Sequence, residues 1–253
     1  VKYILIILLS ITVNAQSTLL TLFDSQTATP SNPQYTTNLS SYWYYGDLAM
    51  DDSPVASWGS SVGDTYNLTA LTTEQPTTTT NGVLFDGGDA LTASTLAYIS
   101  NGNPYSIGVV CNISDTSVAE YKLIFGIRNT NVLLALGINS NGYLYAIGWD
   151  GTNYVEYVNY SLPIFGHNSY IVATYNGSNT VQLFADGVLL ADLNDGVNHQ
   201  NGSTTELGGD NTDNALYVRN GTLILAAEIY SAVLTEEQIA QNILYYQGLG
   251  DLP

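Results

Sequence analysis

The chain has 253 residues, of which 10% are charged, and its 22 acidic against four basic side chains give a formal charge of -18. That length suits one large β domain rather than two. The acidity repels phosphate backbones and anionic headgroups, which excludes nucleic-acid binding and peripheral membrane binding. Cys111 is the sole cysteine, so no intrachain disulfide exists and the core must supply the stability.

From the N-terminus, Val1 to Val13 places one lysine before an apolar run, and Val13-Asn14-Ala15 carries small or β-branched residues where a signal peptidase reads. Residues 1–15 are expected to be a signal peptide or an apolar N-terminal anchor. Residues 16–40, rich in Ser, Thr, Asn and Pro, read as a linker or extended arm. Residues 41–250 then form the expected domain.

Within it, short apolar or alternating runs recur between Gly, Asn and Asp turns. They are Gly82 to Phe85, Tyr105 to Ile113, Tyr121 to Ile127, Val132 to Ile138, Tyr143 to Trp149 and Tyr154 to Tyr160. Tyr170 to Tyr175, Val181 to Ala185, Val188 to Leu193 and Leu223 to Tyr230 continue the series. Strands at this spacing predict an all-β, two-sheet antiparallel β-sandwich. Asn141-Gly142, Asp150-Gly151, Asn176-Gly177 and Asp186-Gly187 supply the positive φ that tight hairpin turns need. One short C-terminal helix follows. Thr235 to Gln238 is a capping box, and Ile239, Ile243, Leu244 and Tyr246 form its apolar face. It is expected to lie on the outside of a sheet and to end at Gly248 and Gly250.

Three blocks, in this order, resemble the concanavalin A-like lectin/glucanase superfamily. More narrowly, they are similar to laminin-G-like jelly-roll domains of bacterial surface and phage structural proteins. The blocks are Tyr42 to Thr69, with its Trp and Asp/Gly turn; Pro76 to Leu91, with Phe85-Asp86-Gly87; and the closing segment from Leu207 to Tyr246. The resemblance implies a jelly roll over about residues 41 to 247, with Trp43 and Trp58 in the core. It implies two functions: a lectin-like surface domain that binds glycan, or a virion structural component such as a capsid decoration or fibre. Partners would be a glycan or surface ligand, or other virion or cell-surface proteins; the location would be extracellular or the virion.

Catalysis is tested against the paired carboxylates of glycoside hydrolysis. Glu120, Glu156 and Glu228 each stand alone in their strands, and no Glu-x-Asp-x-Glu pattern occurs. Glu228 is expected at a strand edge where the last strand meets the helix. Gly59 to Gly63 matches Gly-x-Ser-x-Gly but continues as a turn, not a helix. The expectation is a non-catalytic domain.

Two binding features remain. Asp86 with Asp89, and Asp210 with Asp213, sit in Gly-rich turns that offer oxygen ligands to Ca2+ or, equally, cap backbone amides. Tyr143, Tyr145 and Trp149 alternate on one strand face, and Asp150, Asn153 and Tyr154 follow. An aromatic row flanked by amides and carboxylates suits a sugar, whose C–H faces stack on rings, but the same row would also serve as core.

Overall fold

A computed structural model describes residues 36–48, 53–62, 67–70, 75–94, 99, 102–114, 122–128, 132–139, 141–149, 154–158, 166–194, 204–209 and 221–253. All fall within one compact unit, Asn32–Pro253. The expected leader and most of the expected linker lie outside the described residues. The described strands are β1 (Leu39–Tyr44), β2 (Ser57–Gly59), β3 (Asn67–Thr69), β4 (Thr77–Thr79), β5 (Gly82–Phe85), β6 (Leu91–Ser94), β7 (Tyr105–Asn112) and β8 (Lys122–Arg128). They continue with β9 (Val132–Ile138), β10 (Leu144–Trp149), β11 (Tyr154–Val158), β12 (Asn168–Tyr175), β13 (Thr180–Ala185), β14 (Val188–Asn194), β15 (Thr204–Leu207) and β16 (Thr222–Tyr230). One α-helix, α1 (Glu236–Leu249), closes the series.

The strands form two antiparallel sheets, so the protein is a β-sandwich with one C-terminal helix. Sheet A runs β14-β13-β12-β7-β16-β5-β4, with β1 also paired to β16; sheet B runs β11-β10-β9-β8-β15-β6-β3-β2. β16 is paired with β7 on one side, and on the other with β5 at its start and β1 at its end.

Side-chain alternation explains which faces are dry. On β7, Tyr105, Ile107, Val109 and Cys111 enter the core between the sheets, and Val110 faces outward into a second apolar layer beneath α1. On β12, Ile171, Ala173 and Tyr175 point into the core while Tyr170 and Val172 point to α1. Sheet A is therefore covered on both faces at its middle, which is why these strands read as nearly unbroken apolar runs. Trp43 and Trp58 are both buried in the inter-sheet core, where Trp43 meets Phe125 of the opposite sheet edge-on at 6.5 Å.

The capping box at Thr235 forms as the spacing predicts: its hydroxyl accepts from the Gln238 amide, and Gln238 accepts from the Thr235 amide. Gly250, in the left-handed region, is the C-terminal cap, whereas Gly248 lies inside the helix. The buried face of α1 differs from the expected one. Ile239, Asn242, Tyr245 and Tyr246 are buried, while Leu244 is 59% exposed. The folded limits also extend beyond those expected, since β1 begins at Leu39 and Asp251 and Leu252 are buried.

Candidate functional site

The aromatic hairpin predicted as a ligand platform is β10 and β11 at the edge of sheet B. Its entry turn is built by Asn139, whose side-chain oxygen accepts from the amides of Asn141 and Tyr143, while Gly142 takes positive φ. Tyr143 is partly exposed beside it. At the other end of β10, Trp149 is the register partner of Tyr154, so an aromatic residue stands in sequence on either side of residues 150–153. Asp150 and Asn153, and the side chains of Trp149 and Tyr154, lie outside the described residues.

Tyr145 requires a correction. It is only 2% exposed, and its ring fills the space left by Gly137 on β9, where any Cβ would meet both the ring and the Lys122 carbonyl. A ring packed over a glycine is a structural filler rather than an open stacking surface. The inward residues of the same strand, Leu144 and Ala146, join the inter-sheet core as the alternation requires.

The outer face of sheet B carries a row that sequence reading did not find. Register places Ile147, Ala135, Gly126, Glu206, Thr92, Thr69 and Ser57 opposite one another across successive strands. Arg128, one step along β8, pairs its guanidinium with the Glu206 carboxylate at 3.4 Å. Glu206 is 1% exposed, and a buried carboxylate needs such a partner. Thr69 and Ser57, at the far end, are exposed hydroxyls. No local spacing signals the Arg128–Glu206 pair, because 78 residues separate the two.

The metal reading rests on turns. Asp89 is buried and accepts from the Asp86 amide at 2.7 Å, and Asp86 accepts from the Gly88 amide at 3.3 Å. Both carboxylates thus do the turn-capping work the alternative reading assigned them. Asp210 and Asp213 lie outside the described residues. Among the described residues no group of three or more His, Cys, Asp or Glu gathers as metal ligands.

Glu228 is corrected most strongly. It lies in the middle of sheet A, not at an edge, and is fully buried beneath α1. Its Oε1 accepts from the Tyr170 hydroxyl and from Asn242 Nδ2 at 3.3 Å; Oε2 accepts from Tyr230 at 3.1 Å and Tyr246 at 3.2 Å. Burial pushes its pKa up to about 8, against the hydrogen bonds from Tyr230, Tyr246 and Asn242, which pull it down.

No family model matches the chain, and no curated protein matches it in sequence. Its fold resembles that of Trypanosoma rangeli sialidase in complex with sialic acid, with TM-score 0.64 and 13% identity over 93% of this chain and 39% of the sialidase chain. The sialidase covalent intermediate with 2,3-difluorosialic acid gives TM-score 0.66 and 13% identity over 92% and 38% of the two chains. The receptor binding domain of botulinum neurotoxin D gives TM-score 0.61 and 19% identity, covering 83% of this chain and 52% of that one. The chain thus spans about two-fifths of these sialidases and half of the toxin domain.

At these identities the likeness shows the fold alone, a two-sheet β-sandwich. It also overturns the expectation of a non-catalytic domain, because the chains that share this fold include sialidases, which are enzymes. That expectation rested on a paired-carboxylate criterion, which is not universal among glycosidases. It also required both acids on one strand, whereas register brings charged groups together from separate strands, as at Arg128 and Glu206.

Proposed function

We propose that the protein is a lectin-like domain of the laminin-G-like jelly-roll type that binds glycan on the sheet B side of the sandwich. The observation that carries this reading is the register pairing of Trp149 with Tyr154, two aromatic residues that in sequence bracket Asp150, Gly151, Thr152 and Asn153. Rings beside amide and carboxylate oxygens answer the two demands of a sugar: a stacking surface for C–H faces and partners for hydroxyls. Tyr143, partly exposed beside the Asn139 turn, is a separate candidate contact at the opposite end of β10. The fold likeness to a sialidase bound to sialic acid and to a toxin receptor binding domain supports the ligand class.

Display on a cell surface or a particle belongs to the same proposal. Its support is compositional, with four Lys plus Arg and abundant Tyr, Asn and Thr. A glycan array with the intact chain and its Trp149→Ala variant is the test. Loss of array signal in the variant, with unchanged thermal unfolding, is the expected result; binding that survives the substitution sinks the aromatic platform.

A further inference from the structure

The Glu228 cluster joins four elements, of which β1 and β12 are far in sequence from β16 and α1. Tyr170 comes from β12, Tyr230 and Glu228 from β16, Asn242 and Tyr246 from α1, and Tyr42 of β1 also faces the carboxyl group. Asn242 Nδ2 adds contacts to the Tyr170 hydroxyl at 3.1 Å and the Tyr230 hydroxyl at 2.8 Å, so the helix is tied to both strands through one amide. Gly108 of β7 completes the seat, because a Cβ there would stand 2.7 Å from Glu228 Oε1. Apart from this cluster, α1 is held to the sheet by an apolar layer containing Leu39, Val110, Val172, Phe184, Leu225 and Ile239.

The charge environment is one-sided. The ion pairs among the described residues are Arg128–Glu206 and His167–Asp186, and neither includes Glu228. The titratable groups that face it are Tyr42 from β1, Tyr170 from β12, Tyr230 from its own strand, and Tyr245 and Tyr246 from α1. Burial pushes Tyr42, Tyr230, Tyr245 and Tyr246 above the ordinary tyrosine range, so they stay neutral while the carboxyl group titrates. Tyrosine hydroxyls can accept as well as donate, so a neutral carboxyl group here can hand its O–H to one of them and keep the other contacts as a polar tie; an ionised one can take all four donors but is fully buried with no ion pair to it among the described residues.

We propose that Glu228 is an alkaline-sensitive latch that holds α1 on sheet A and loosens when the carboxyl group loses its proton. The folded-state pKa is raised from 4.5 to about 8, so the folded form binds the proton more tightly than the unfolded chain does. The latch therefore contributes fully below pH 4.5 and loses its contribution as pH rises towards about 8. Opening α1 uncovers Tyr42, Tyr170, Tyr230 and their apolar neighbours, which makes the outer face of sheet A a surface available only at high pH.

The test is hydrogen exchange of the intact chain at several pH values from about 5 to 9.5, each rate corrected for the intrinsic base catalysis of amide exchange. Protection of the Ile239-to-Tyr246 amides is read against that of β9 and β10 in the opposite sheet. In the wild type the ratio should fall about tenfold or more across the range, while in Glu228→Gln, which keeps a neutral hydrogen-bonding group, it should stay level. A wild-type ratio that does not change with pH overturns the latch, and this outcome stands even if the variant fails to fold. An equal fall in Glu228→Gln overturns it as well, since the pH sensitivity would then belong to another group.

Discussion

Gly108 and Glu228 are register partners in adjacent strands of sheet A, and the missing side chain of one is the space occupied by the carboxyl group of the other. A Cβ at position 108 would come within 2.9 Å of Glu228 Cγ and 3.1 Å of Tyr170 Cε2, in addition to its approach to Oε1. None of these atoms can retreat far, because each is sealed between the sheet and α1.

Gly108→Ala is accordingly expected to destabilise the fold by about 1–3 kcal/mol through overpacking. Chemical denaturation with the linear extrapolation measures this directly. A variant as stable as the wild type would show that the cluster has room to spare.

The helix cap gives a milder effect. Thr235→Ala removes the hydroxyl that accepts from the Gln238 amide, and the loss is expected to be about 1 kcal/mol. Thr235→Asn should recover most of it, because its side-chain oxygen can take the same bond. Urea midpoints of the three proteins check the order.

Trp43 tests the join between the sheets. It is 1% exposed and meets Phe125 across the sandwich, so Trp43→Ala is expected to cost about 3–5 kcal/mol through lost burial and a residual cavity. Near-ultraviolet circular dichroism during thermal unfolding would show whether the remaining core is still uniquely packed.

Cys111 supplies a probe of opening. The thiol is buried in the core, and burial together with the nearby Asp186 charge pushes its pKa up to about 12. Thiolate is the reactive form, so at pH 8 the native protein should resist alkylation, whereas denaturant-unfolded chain should react at the rate of a free cysteine. Fast reaction of the native protein would mean that the core opens readily around β7.

Much of the architecture was legible because short-range chemistry dictates it. Asp186-Gly187 adopts positive φ at both positions, 49° and 79°, and turns β13 into β14 as the pair predicts. Thr235 and Gln238 lie three residues apart, so their reciprocal bonds are visible in the sequence itself. The face of α1 was misread for a reason that periodicity cannot carry. Asn242 turns inward because Glu228 lies below it, and Leu244 is left outside. The sites share this difficulty: Tyr170 and Glu228 are 58 residues apart, and Arg128 and Glu206 are 78 apart. Such pairs exist only once strand order is known, and that order is set by the summed packing of two sheets rather than by any local pattern.

The position of β16 has a consequence for how the chain reaches its native state. This strand, residues 222–230, is the inner neighbour of β7, β5 and β1, all of which precede it by more than a hundred residues. During vectorial synthesis those three strands leave the ribosome with unpaired edges and must wait for their common partner. Pairings of such long sequence separation are slow to form. A chain stalled before residue 222 would expose apolar edges prone to sticking, which makes the late-emerging strand the step that commits the sandwich to its final form.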